Sequence, residues 1–391
     1  MKQILRIFTA KAPLWSLGFR PFFLLVIITA IVPAIVWVLQ ITGLISLSFS
    51  PLTSNQWHAN EMIFGFLMSA LVGFLLTASA NWTGTTGVHG SSLITVFLLF
   101  LLTRIIFWTT PFESIWSYRL IGVVVPLWLV FHLTKLFIQT NNRRNLVLII
   151  PLSILVIGQL MLLSSKYTLG YELALYSIRF LLVVIAGRVI PFFTKKALGM
   201  EPKWNSPLLE KLTLLTVFLL IFEPFYRQLN PLGEMFWLGL TSLALILNLY
   251  RIVNWRLLAS FNVKILFILY IAYLWLPIHF ALGLASYWGW FNDIGKASVH
   301  ALTYGCMGIM ILGISHRVAL GHTGRPINSG SLALIAYTLI VIGSVLRVFG
   351  PILAPTNYMF CIKTSGSLWV LAFLTISFEM IPILLSPRLD G

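Results

Sequence analysis

PFFLLVIITAIVPAIVWVL, residues Pro21 to Leu39, runs the length of a membrane helix without a charged side chain. At the usual helical rise it covers roughly 30 Å, the thickness of a bilayer's hydrocarbon core. Lys2, Arg6, Lys11 and Arg20 precede it. The stretch is long for the core of a secretory leader, and no small-residue cleavage site follows, so it is expected to stay in place as a first helix.

Runs of this kind recur along the whole chain. Of its 391 residues 59% are hydrophobic and only 9% charged, whereas about a quarter of a soluble domain is charged. Lipid offers no partners to exposed backbone, and the runs are too long for barrel strands. The expected fold class is therefore all-α, a polytopic integral membrane protein. Turn and charge clusters divide it into about twelve spans, near 18–41, 60–81, 91–109, 116–139, 145–164, 171–195, 207–228, 232–251, 258–284, 295–319, 329–350 and 358–386. No connection is long enough for an extramembrane domain, so residues 1–391 read as one integral membrane domain.

The net charge is +16, from 26 Lys and Arg against 10 Asp and Glu. No compact basic domain exists to face a nucleic acid, and basic residues collect in the cytoplasmic loops of membrane proteins. Alternate span ends divide the basic residues unequally. One side takes 17 of the 26, from Lys2, Arg6, Lys11 and Arg20 through Lys135, Lys203 and Arg256 to Arg325 and Arg388. The other side takes six, Arg104, Arg119, Lys166, Arg227, Lys296 and Lys363, and Arg179, Arg188 and Arg347 fall inside spans. Both termini are expected in the cytoplasm. Cys306 and Cys361 make no CxxC and no disulfide framework, and read as small core residues.

The stretch WHANEMIFGF, Trp57 to Phe66, brings His58 and Glu61 to the edge of an apolar run. Ionisable groups are rare at such depth without a partner or a function. Seven histidines in so apolar a chain sort by depth into an outer set, His58, His279 and His300, and an inner set, His89, His132, His316 and His322. His300 and His316 lie sixteen residues apart on one helix, roughly 24 Å at the usual rise, too far to serve one metal centre. Two polar sites are thus expected, one toward each face. Imidazole suits haem iron and copper, and Glu61, one turn from His58, is placed to orient it. The alternative for each histidine is a hydrogen bond to a helix carbonyl. Toward the inner face, ALGHTGRP (Ala319–Pro326) gathers His322, Thr323 and Arg325 around two glycines, Gly321 and Gly324. An arginine there suits a carboxylate such as a haem propionate, and a basic loop with a glycine helix stop is the competing reading. Arg188 either snorkels to the inner interface or holds an anionic group inside the bundle. Arg347 and Glu379 are candidates for an internal pair.

LGFRPFF (Leu17–Phe23), WHANEMIFGF, GFLLTASANWTG (Gly73–Gly84), GRVIPFFT (Gly187–Thr194) and the run from His300 to Pro326 together resemble the NnrS family, in the family's order. The resemblance implies a twelve-helix bacterial inner-membrane protein with haem b and copper, active in the response to nitric oxide and nitrosative stress. It marks Arg20, His58, Glu61, Asn81, Arg188, His300, Arg317, His322 and Arg325 as the family's polar positions. His58, His279, His300 and His322 become the candidate metal ligands, Arg20, Arg188 and Arg325 further cofactor-binding residues, and Glu61, Asn60 and Asn81 their support. The family usually has a second histidine where this chain has Asn60, and an amide is a poor copper ligand beside imidazole. His316 stands where the family commonly has a smaller or uncharged residue. The lipid bilayer and nitric oxide are the implied partners. A twelve-helix secondary transporter and a nitric oxide-metabolising oxidoreductase are the alternative functions. The second lacks the adjacent histidine pair of terminal oxidases.

The bias of basic residues makes a direct prediction. Reporter fusions after Lys203 and after Arg388 should both read as cytoplasmic and one near Lys166 as periplasmic, and a periplasmic C-terminus would contradict the assigned orientation.

Overall fold

The computed structural model describes residues 9–47, 52–109, 115–162, 164, 166–204, 206–290 and 294–390. Lys2 and Arg6, counted above, lie outside them, as does the side chain of Arg119. The described residues are helical, with no strand among the elements. The helices are α1 (Phe19–Ile41), α2 (Ser54–Thr83), α3 (Gly90–Thr109), α4 (Ile115–Gln139), α5 (Arg143–Leu162) and α6 (Tyr167–Leu198). They continue with α7 (Pro207–Leu219), α8 (Leu232–Asn254), α9 (Lys264–Tyr287), α10 (Gly295–His322), α11 (Ser331–Leu353) and α12 (Tyr358–Leu385). Among the described residues, eleven stretches are long and apolar enough to cross a membrane.

The seventh expected span, 207–228, is present in pieces. After α7 the chain tightens into a 3-10 turn, Leu220–Phe222, and resumes as the short helix Glu223–Tyr226. Pro224 is the cause. It has no N–H to give the carbonyl of Leu220 four residues earlier, and that carbonyl accepts from the Glu223 N–H instead.

Two compact units share the helices. The first comprises residues 1–174, 315–327 and 373–391. Within it α1 lies along α2, because Gly73 admits the aromatic residues of α1. A Cβ on Gly73 would stand 2.8 Å from Cβ of Phe22. The Phe19 N–H donates to Oγ1 of Thr77 at 2.9 Å, which ties the start of α1 to α2. The second unit comprises residues 175–314 and 328–372. There α9 packs on α8 and on the first half of α10, with Trp275 seated on Gly305 and Trp369 on Gly308. Small residues at such crossings let apolar surfaces meet closely where lipid supplies no hydrophobic drive.

Two stretches depart from α-helical winding. Glu61–Leu67 of α2 and Ala301–Gly308 of α10 are π-helical. Each begins within three residues of a histidine singled out by sequence, His58 and His300. Such segments occur often at functional sites.

The close seat of Trp275 predicts that Gly305→Ala lowers stability by about 1–3 kcal/mol through overpacking. Gly239→Ala, where a Cβ would meet nothing within 4 Å, should leave it unchanged or slightly raised. Thermal unfolding of the purified variants measures both.

Candidate functional site

The WHANE stretch ends one helical turn and opens the π segment, and its side chains settle at different places in the first unit. His58 is half-buried and stacks on Trp37, ring centroids 4.3 Å apart and planes at 22°. Trp57 and Asn60 are buried, and Trp57 meets Trp108 edge-on at 5.2 Å. Glu61 is buried too, and its carboxylate accepts from Nη1 of Arg104 at 3.2 Å. Gly65 makes room for it, since a Cβ there would stand 3.1 Å from Oε2 of Glu61. Arg104, counted by position with the outer loops, is thus a buried residue of α3 with an internal partner. Its guanidinium also lies 5.4 Å from the centre of the Phe107 ring.

At the basic end of the same unit the loop after α10 meets the start of α1 and the chain's last residues. His322 is half-buried, its ring 5.6 Å from that of Phe19. Arg20 is buried and donates from Nη1 to the carbonyls of Leu384 (2.9 Å) and Ser386 (2.6 Å). Its Nε is buried with no hydrogen-bond partner among the described residues. The charges of Arg325 and Arg388 bear on it. Arg317 is buried as well. Asp390 is the acid of this group, bound by both Nε and Nη2 of Arg388 at 2.6 Å. That pairing holds its carboxyl below the ordinary carboxylate range. Gly324, at φ +70°, brings the loop against Asp390, and the Leu389 N–H donates to the Thr323 carbonyl at 3.1 Å. Arg20, Arg325 and Arg388 thus lie near one another here, with Asp390 bound by Arg388.

His279 and His300 belong to the second unit. In both rings Nδ1 faces a carbonyl, Ser298 O at 2.9 Å and Lys296 O at 2.8 Å. A carbonyl only accepts, so Nδ1 carries the proton and Nε2 the lone pair. In both rings that lone pair faces a guanidinium, Arg179 at 3.4 Å and Arg347 at 2.9 Å. The nitrogen a metal would take is therefore in use by an arginine. His316 bonds Glu379 at 3.0 Å within the first unit, so Glu379 and Arg347, suggested as a pair by the sequence, meet histidines. Arg188 is half-buried in α6. Asn81 is exposed near the end of α2. His89 bonds the Gly87 carbonyl at 3.0 Å, and His132 stacks on Trp128.

The chain belongs to the NnrS protein family. The family model matches residues 13–388, nearly its full length. No curated protein matches it. At the level of the family, it is a multi-pass membrane protein related to the nitric oxide response.

The donor sets differ in how they suit the two cofactors the family implies. The basic end of the first unit combines an imidazole with arginines able to take carboxylates, one of them with an unused buried N–H, which suits a haem. For copper, no group of three or more His, Cys, Asp or Glu among the described residues is arranged to hold a metal ion. His58 has an amide, Asn60, close by in sequence and a carboxylate, Glu61, already held by Arg104.

Sequence reasoning missed the arginine partners, Arg104 for Glu61 and Arg179 and Arg347 for the histidines. It also missed the break before Glu223, which the Glu-Pro dipeptide signals.

Removing one member of a buried charge pair strands the other, at a cost of about 3–5 kcal/mol. Glu61→Ala and Arg104→Ala should each destabilise the protein on that scale. The double variant should lose clearly less than the sum of the two, because no charge is then left unpaired. Unfolding of the three variants in one detergent measures the coupling.

Proposed function

We propose that this NnrS-family protein is a haem b- and copper-containing protein of the bacterial inner membrane that protects against nitric oxide. The observation that carries the haem reading is the basic end of the first unit, where the His322 ring lies beside Phe19 and the buried Arg20 keeps an unused Nε–H near Arg325 and Arg388. In this reading His322 would supply the imidazole that holds the iron. Arg20 and Arg325 neutralise the two carboxylates of the group, as guanidiniums do in paired fashion. A haem held there would supply an iron able to bind a small diatomic ligand. Nitric oxide is small and apolar and reaches such a site through lipid, so no pore is required. Copper enters on family grounds, with His58 as the imidazole that would hold it, and no step is derived through it.

One observation favours a second reading. The break at Leu220–Phe222, with ionisable side chains around it, has the form that transporters use at their binding sites. A transporter has no intrinsic haem spectrum, which separates the two.

The test is haem per protein in wild type, His322→Ala, Arg325→Ala and His58→Ala at matched expression. Both loop variants should lose haem and His58→Ala should keep it. Wild-type haem in His322→Ala and Arg325→Ala, with loss in His58→Ala, would overturn the assignment of the site.

A further inference from the structure

The break in the seventh span is occupied by a polar cluster that the cofactor reading does not use. All of it lies in the second unit. Arg179 of α6, largely buried, donates from Nη2 to the Leu220 carbonyl at 2.8 Å. That is the carbonyl to which Pro224 has no N–H to offer. The guanidinium is flanked by aromatic rings, 4.4 Å from the centre of Tyr176 and 5.5 Å from that of Phe280. Its other contacts are long, 3.4 Å to Nε2 of His279 and 3.8 Å to Oε2 of Glu223. Glu223, also buried, is shared with Nη1 of Arg227 at 3.2 Å. Ser298 fixes the far side of His279.

Two donors in this cluster are unused. Nε of Arg179 and the hydroxyl of Tyr226 are buried with no hydrogen-bond partner among the described residues. Tyr226 lies in the field of Glu223, Arg179 and Arg227 together. Leaving buried donors unmet is costly, and a guanidinium needs acceptors in the plane of its fork. The charges point the same way, since two arginines stand against one carboxylate. Arg227, whose side chain is 40% exposed, leads from the cluster to the surface.

We propose that the break binds a small planar oxyanion of the class of nitrite, nitrate or formate. Arg179 donates to it from Nε and from the Nη2 N–H on the same edge of the guanidinium, the other Nη2 N–H staying on the Leu220 carbonyl, and Tyr226 adds its hydroxyl. The ligand's single negative charge offsets the surplus guanidinium. Its flat shape matches the arginine fork, which a spherical anion does not. Nitrite and nitrate are also the oxidised forms that nitric oxide takes in aerated water, so a protein meeting nitric oxide meets them.

The experiment is isothermal titration of the full-length protein in nanodiscs with sodium nitrite, sodium formate and sodium chloride. Nitrite and formate should bind saturably at one site and chloride at least tenfold more weakly. Tyr226→Phe removes only an unpartnered hydroxyl. It should weaken nitrite binding by about tenfold, one hydrogen bond to a charged group, with an unchanged unfolding temperature and unchanged haem content. Arg179→Gln should abolish binding, and Arg143→Ala, an exposed change at the start of α5, should not affect it. Absence of saturable binding in wild type would overturn the proposal. So would equal affinity for chloride, or wild-type affinity in Tyr226→Phe. Haem content is read on the same samples, so failure here is distinct from failure of the haem assignment.

Discussion

Arginine charge buried among apolar helices is the constraint around which both units are built. A guanidinium does not lose its proton at any pH a cell meets, and a charge at membrane depth is costly unless polar groups meet it. Four buried arginines show four ways of meeting that demand. Arg20 ends on the carbonyls of Leu384 and Ser386, and Arg104 ends on Glu61. Arg179 meets the Leu220 carbonyl at the break, beside the Glu223 N–H. Arg251 grips Glu210 with Nε and Nη2 and reaches the Val183 carbonyl and the Tyr273 hydroxyl with Nη1. Each bond joins segments far apart in sequence, so the arginines fix which helices are neighbours. Gly187, in the GRVIPFFT stretch, leaves the space Arg251 fills, because any Cβ there would collide with its guanidinium.

The seventh span shows how the constraint becomes architecture. Its first turn carries Glu210, held by Arg251, and its short second piece begins at Glu223, held between Arg179 and Arg227. Both carboxylates face arginines of continuous helices, α8 at one end and α6 at the other. A helix that Pro224 interrupts would expose backbone carbonyls to lipid. The Glu223 N–H and the Arg179 side chain together close that gap, so the break is tolerated at depth. Binding chemistry follows from the same arrangement, since a guanidinium placed to cap a carbonyl keeps further N–H groups for another acceptor.

Most of the fold was legible in the sequence, and for a simple reason. Length and apolarity decide a membrane helix, so the ends expected for α1, α3 and α12 fall within a residue or two of those found. The break within 207–228 was hidden because Leu220, Ile221 and Phe222 are as apolar as their neighbours. Only the Glu-Pro dipeptide marked it. Partners were hardest to read. Arg104 looked like a loop charge because it lies five residues from the end of α3, yet the contact that buries it comes from Glu61, 43 residues earlier. His58 and Glu61 share a helix face on paper. In the fold the Glu61 carboxylate goes to Arg104, while the His58 ring stacks on Trp37. The inner loop fared better, because His322, Arg325 and the arginine of LGFRPFF do gather at the basic end of one unit. What no spacing could show is that the lone pairs of His279 and His300 are already met by arginines.

The account stands on a haem held at that basic end. Its most direct test is the reduced-minus-oxidised absorption spectrum of the purified protein, recorded with iron and copper analysis and repeated after addition of nitric oxide under anaerobic conditions. A b-type spectrum that shifts on nitric oxide addition, with one iron per chain, is the predicted result. A protein with its helical structure intact but no haem absorption, when produced in cells supplied with iron and haem precursor, would contradict the account.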